Sequence, residues 1–144
     1  MGVLVVALGN PLRGDDGVAH EVAALLHGFQ VRHEHQLTPE LAAEMQGAST
    51  VVFLDADPAA DAPSLERIEG PSEASAALSH SMTPATIVAL AARLYHFQGD
   101  AWICRLHARD FSPGTGLSPE AAAQIDEAAR LVQQLVEAPC TSPR

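Results

Sequence analysis

The sequence predicts an α/β fold, a three-layer sandwich in which a mostly parallel central sheet is flanked by helices. Two observations carry this expectation. Val3 to Leu8 (VLVVAL) and Val51 to Leu54 (VVFL) are short, β-branched apolar runs without polar alternation, the composition of strands buried on both faces. Around them apolar residues recur at helical spacing, so that strands alternate with amphipathic helices along the chain. With 144 residues, 47% of them hydrophobic, one domain spanning residues 1–144 can bury a core without disulfide or metal staples. Strand order is not readable from this pattern.

The elements follow in order. After the first strand, Gly9, Asn10, Pro11 and Gly14 are turn formers, and Asp15 or Asp16 is placed to cap the first amides of a helix. Val18, Val22, Leu25 and Leu26 give that helix its apolar face from about Asp16 to His27, and Gly28 ends it. Gln30 to Leu37 alternates weakly and reads as a more exposed strand with His33 and His35 on one face. Thr38-Pro39-Glu40 is a helix start, and a short helix is expected to run to about Gln46.

The Val51 to Leu54 strand ends in acids, Asp55 and Asp57. The Ala-, Pro- and Ser-rich stretch from Asp57 to Ser79 is expected to be loop, apart from a short edge strand at Leu65 to Ile68. Thr83-Pro84 opens a helix whose apolar face is Ile87, Val88, Leu90, Ala91 and Leu94. Ala101 to His107 is the next strand. Ser118-Pro119-Glu120 starts the last helix, with Ile125, Ala129, Val132, Leu135 and Val136 on its buried side, and Ala138 to Arg144 is expected to fray.

A formal net charge of −10 is the opposite of what a phosphate backbone or an anionic membrane attracts, so nucleic acid and membrane are not expected as partners. Cys104 and Cys140 lack metal-site spacing and read as reduced thiols. The apolar N-terminal run is one strand long and has no basic leader, so a cytoplasmic location is expected.

In α/β proteins ligands bind at the carboxyl ends of parallel strands. Asp16 after the first strand, Asp55 after the Val51 to Leu54 strand, and His80 in the loop before a helix can share that rim. Two carboxylates and one imidazole suit a borderline divalent metal such as zinc or nickel. The same residues have plain structural uses: Asp15 and Asp16 as helix caps, Asp55 in a turn, His80 on the surface. Spacing alone leaves both open. Neither a G-x-G-x-x-G nor a P-loop spacing is present, and no serine or cysteine lies in a nucleophile-elbow sequence. His20 and His27 read as surface groups on the first helix, Arg13 as a solvated loop arginine, and His33 and His35 as a solvated strand face without a third metal ligand.

The run ALGNPLRGDDGVAHEVAALL, then VVFLDAD, the single histidine of SHSMTP before a helix, and GLSPEAAAQIDEAARLV near the end resemble the hydrogenase maturation endopeptidases, in order and over nearly the whole chain. The resemblance implies an endopeptidase that removes the C-terminal extension from the precursor of a nickel-iron hydrogenase large subunit after nickel insertion. In that family an acid of the opening motif, an aspartate after the central strand and a histidine in a later loop bind the metal. By motif position these are Asp16, Asp55 and His80, expected here as both metal-binding and catalytic residues. Asp15 is the less favoured acid of the pair, expected to cap. The implied ion is Ni(2+), carried by the substrate, with other divalent metals as alternatives.

Two departures from the family stand out. Ala7 and Ala19 replace common glycines, and His35-Gln36-Leu37-Thr38-Pro39-Glu40 replaces a Gly-Thr-rich loop expected near the substrate. Two other readings compete: a chaperone that inspects the metal centre without cutting, and a peptidyl-tRNA hydrolase-like enzyme. The second is opposed by the acidic charge and by the lack of an Arg-His-Asn set after ALGNP.

Overall fold

In the computed structural model residues 2–69 and 82–137 are described. Five strands form one sheet in the order β2-β1-β3-β5-β4. These are β1 (Gly2–Leu8), β2 (Gln30–Glu34), β3 (Ala48–Asp57), β4 (Ser64–Arg67) and β5 (Asp100–His107). β1 pairs in parallel with β2 and β3, and β3 with β5, whereas the edge strand β4 runs antiparallel to β5. The sheet is therefore mixed and mostly parallel.

The helices are α1 (Val18–Ala23), α2 (Leu41–Glu44), α3 (Pro84–Tyr95), α4 (Pro119–Ala123) and α5 (Ile125–Glu137). Strand alternation splits the apolar residues into two cores. Leu4, Val6, Val51, Phe53 and Ile103 pack with Leu41, Met45, Ile87 and Ala91 from α2 and α3. Val5, Ala7, Val52, Leu54, Cys104 and Leu106 pack with Val18, Val22, Ala121, Ala128 and Val132 from α1, α4 and α5. Each of these buried Val, Leu or Phe side chains contributes roughly 1.5–3 kcal/mol, so β1 and β3, buried on both faces, anchor the molecule. The three layers expected from the sequence are present.

Several boundaries differ from the sequence reading. The first helix is shorter: residues Gly14–Gly17 form a 3-10 turn and only Val18–Ala23 are α-helical. Its end tightens through i→i+3 bonds, Leu25 N–H to Val22 C=O and Leu26 N–H to Ala23 C=O, both 3.0 Å. Neither Asp15 nor Asp16 caps it, because the N-cap position has no side-chain hydrogen bond. The second strand stops at Glu34, and the stretch after Thr38 turns mostly through i→i+3 bonds, leaving four α-helical residues. β3 is longer than its apolar run, and Asp55 and Asp57 belong to the strand itself.

Two helix starts agree with the sequence. Thr83 caps α3 by accepting from Thr86 N–H (3.2 Å), and Ser118 caps α4 by accepting from Ala121 N–H (3.2 Å). The last helix, however, is two pieces that meet at Gln124, a buried amide. Its Oε1 accepts from His107 N–H (2.7 Å) and its Nε2 donates to His107 C=O (2.6 Å), closing the end of β5 as another strand would.

Candidate active site

The strand order places a topological switch between β1 and β3. The chain leaves β1 through α1 to reach β2 on one side, then returns through α2 to β3 on the other, so the loops part above the carboxyl ends of β1 and β3. The opening loop, Gly9 to Gly17, fills one wall of this crevice. The end of β3 fills the other.

Asp16 sits on the loop with its carboxylate turned back over the turn, where Oδ2 accepts from Asn10 N–H at 2.7 Å. Asn10 in turn accepts from Leu12 N–H through Oδ1 at 2.9 Å, an Asx-type turn. This folding requires glycine at position 9. Gly9 has φ +133°, and a Cβ there would lie 2.0 Å from the Asp16 carbonyl oxygen and 3.1 Å from Asp16 Oδ1.

Asp15 points the other way. It is fully buried, its Oδ2 accepting from Arg109 N–H (2.8 Å), Asp110 N–H (3.0 Å) and the Ser118 hydroxyl (2.8 Å), and its Oδ1 from Ser118 N–H (2.7 Å). Burial pushes this carboxyl up, but the bonds from Ser118, Asp110 and Arg109 outweigh it and hold the pKa at about 2. The helix cap expected of Asp15 is thus replaced by a clamp. It ties the opening loop to the segment after β5 and to the start of α4, and Asp15 N–H to Asp110 C=O (2.7 Å) and Gly14 N–H to Gly114 C=O (2.9 Å) extend the tie.

Asp55, near the end of β3, meets the opposite treatment. Burial raises its pKa first, and the charges of Asp16 and then Asp57 raise it further, to about 6, against the lowering pull of Arg105 and the Ala56 amide. Because β1 and β3 are adjacent parallel strands with Ala7 opposite Leu54, the loop that carries Asp16 and the β3 end that carries Asp55 share one rim, and the Asp16 charge acts on Asp55 there. Asp57 lies two residues along the strand, on the same face as Asp55. Arg105 pairs in register with Asp55, and its guanidinium bridges Asp57 (Nε to Oδ2, 3.6 Å) and Glu66. Sequence reading missed Arg105, because its place opposite LDAD depends on the pairing of β3 with β5, which local pattern does not reveal.

His80 lies outside the described residues, as do the tail from Ala138 and most of the second half of the loop leading to Ser79. Among the described residues no three His, Cys, Asp or Glu side chains are grouped to hold a metal ion, and no helix is long and apolar enough to cross a membrane. Cys104 is buried and free, its thiol pushed up to about 12 by burial. That excludes it as a thiolate nucleophile at neutral pH.

No protein-family model and no curated protein sequence matches the chain. Solved structures do. The hydrogenase maturating endopeptidase HybD from E. coli aligns over 96% of this chain and 94% of its own, at 20% identity and a TM-score of 0.69. NiFe hydrogenase maturation protease HybD from Thermococcus kodakarensis aligns over 95% of this chain and 100% of its own, at 22% identity and a TM-score of 0.66. The maturation protease HycI from Thermococcus kodakarensis KOD1 aligns over 94% and 92%, at 15% identity and a TM-score of 0.69. Over nearly its whole length, the chain has the fold of the hydrogenase maturation proteases.

Proposed function

We propose that the chain is a metal-dependent endopeptidase that removes the C-terminal extension from the large-subunit precursor of a nickel-iron hydrogenase once nickel is in place, acting in the cytoplasm. The observation that supports this reading is the placing of the Asp16 loop and the Asp55 strand end side by side at the β1–β3 switch point, in a fold shared with a hydrogenase maturating endopeptidase. Asp16, Asp55 and His80 are the proposed ligands and catalytic groups, and the nickel ion arrives as part of the substrate.

The chemistry of the donors supports a cation. Two carboxylates, with Asp57 beside them and one guanidinium partly engaged by Asp57 and Glu66, leave a surplus of negative charge in a half-buried cleft. A divalent ion relieves that repulsion and offsets the burial that, ahead of the charges of Asp16 and Asp57, raises the Asp55 pKa to about 6. The ion, when bound, polarises a carbonyl or a water. The chain's own work is to hold Asp16 in place through Asn10 and Gly9, and to present the Asp55 carboxylate beside it at the end of β3.

The test is to incubate the purified chain with nickel-loaded and nickel-free precursor. Shortening of the loaded form alone supports the reading. Loaded precursor left intact by a folded chain, with metal retained in the complex, points instead to a chaperone.

A further inference from the structure

His20 and His33 do not stand apart on the surface. The His20 Nδ1 and His33 Nδ1 atoms lie 2.8 Å apart, with ring centroids separated by 5.0 Å. The other His20 nitrogen, Nε2, lies 2.8 Å from the carbonyl oxygen of Gly9. A carbonyl only accepts, so His20 Nε2 carries the proton and its Nδ1 presents a lone pair. Metal-ligating histidines commonly have their far N–H fixed by a backbone carbonyl in this way; here the near nitrogen accepts a hydrogen bond from His33 Nδ1. His33 stands on the edge strand β2, on the face shared with Val31 and α1, and is exposed, so only its bond to His20 and the stacking of the two rings hold it.

We propose that His20 and His33 form a metal site separate from the Asp16–Asp55 rim, chelating one borderline divalent first-row ion of the nickel(II) or copper(II) type through their two Nδ1 atoms. Two imidazoles are borderline donors that suit such ions. The spacing favours particular geometries. Metal–imidazole bonds of about 2.0–2.1 Å meeting at a right angle, as in square-planar or octahedral sites, put the nitrogens about 2.9 Å apart, whereas a tetrahedral angle needs about 3.4 Å.

The nitrogens are spaced near the first value, with the His20 lone pair now directed at His33 Nδ1, so an ion takes the place of the shared proton only as His33 swings aside. Binding requires His33 to tilt and to move its proton from Nδ1 to the solvent-facing Nε2 by exchange with water, which leaves both Nδ1 lone pairs for the ion. With two protein ligands the remaining positions belong to water. Such a site suits capture and exchange of an ion more than permanent retention. Its position is relevant to the rim, because His20 grips the carbonyl of Gly9, the residue on which Asp16 is folded.

This inference does not depend on protease activity, and its test uses none. The full chain carrying Asp55→Asn, which disables the rim, is titrated with Ni(2+) by calorimetry, followed by Asp55→Asn/His33→Gln and Asp55→Asn/His35→Gln. The partner that merely orients a metal ligand is worth 10–100-fold in affinity. Loss of a ligand should therefore weaken binding at least about tenfold. The expected result is one equivalent of Ni(2+) bound by the parent, at least a tenfold loss with His33→Gln, and no change with His35→Gln, which removes an exposed imidazole nearby. Absence of saturable binding in the parent, equal affinity with and without His33, or equal losses in the His33 and His35 variants would overturn the site. Melting curves for each variant confirm that the chain titrated is folded.

Discussion

Asp15 and Asp16 are neighbours in the chain, yet the fold treats them as opposites. Asp15 is sealed from water and receives four hydrogen bonds, so its charge is better solvated in the protein than outside it. Asp16 remains part-exposed, takes one amide from Asn10, and presses its charge on Asp55 across the crevice. One side chain spends its charge on holding the loop. The other leaves charge unspent where a ligand can meet it, which is how active sites commonly differ from their supports.

The largest expected effects come from breaking the support. Asp15→Ala removes the carboxylate that the amides of Arg109, Asp110 and Ser118 share, and hydrogen bonds to a charged group are worth about 1.5–3 kcal/mol each, so a loss of at least about 3 kcal/mol is expected in denaturant unfolding. A variant within about 1 kcal/mol of the parent would show that the clamp carries little. Gly9→Ala forces a Cβ onto the Asp16 carbonyl at a positive φ, and should cost about as much while also displacing Asp16 from the rim. Normal stability in that variant would mean that the turn has an alternative path.

A smaller, pH-resolved effect separates the two regions. Asp15 has a lowered pKa, so its contribution is present above its unfolded value near 4 and is lost as pH falls through about 2. Asp55 has a raised pKa, so its contribution is present below about 4 and is lost as pH rises through about 6. Asp55→Asn should therefore stabilise the chain at pH 7, by about 1 kcal/mol once its partial exposure is discounted, and the gain should vanish toward pH 4. Thermal melts of parent and variant across that range check the sign. A variant less stable than the parent at pH 7 would contradict a strained rim.

Much of this was legible in the sequence because it is local. VLVVAL and VVFL are strands by composition, Thr83-Pro84 and Ser118-Pro119 are helix starts by capping chemistry, and strands ending in Asp55 and Asp16-bearing turns mark a carboxyl rim. What was not legible depends on partners far along the chain. The donors that claim Asp15 are 94 to 103 residues away, so nothing near DDG distinguishes the clamp from a cap. The break at Gln124 arises from its hold on His107, 17 residues upstream and on another element. His20 meets His33 only because β2 lies beside β1, an adjacency fixed by strand order.

The central claim is that the two adjacent aspartates divide structure from chemistry, and one paired measurement tests it most directly. Asp15→Asn and Asp16→Asn are each assayed for processing of nickel-loaded precursor, with a melting curve on the same preparation. In Asp16→Asn the amide oxygen can still accept from Asn10, so the melting temperature should stay within a few degrees, about 1 kcal/mol or less for a chain of this size. Processing should nonetheless be lost, because a neutral amide is a poor ligand for a divalent ion. In Asp15→Asn the amide NH2 must face N–H donors, so melting should fall by more, while molecules that remain folded still cut. Full processing by Asp16→Asn, or a fold that melts no earlier in Asp15→Asn than in Asp16→Asn, would contradict the division.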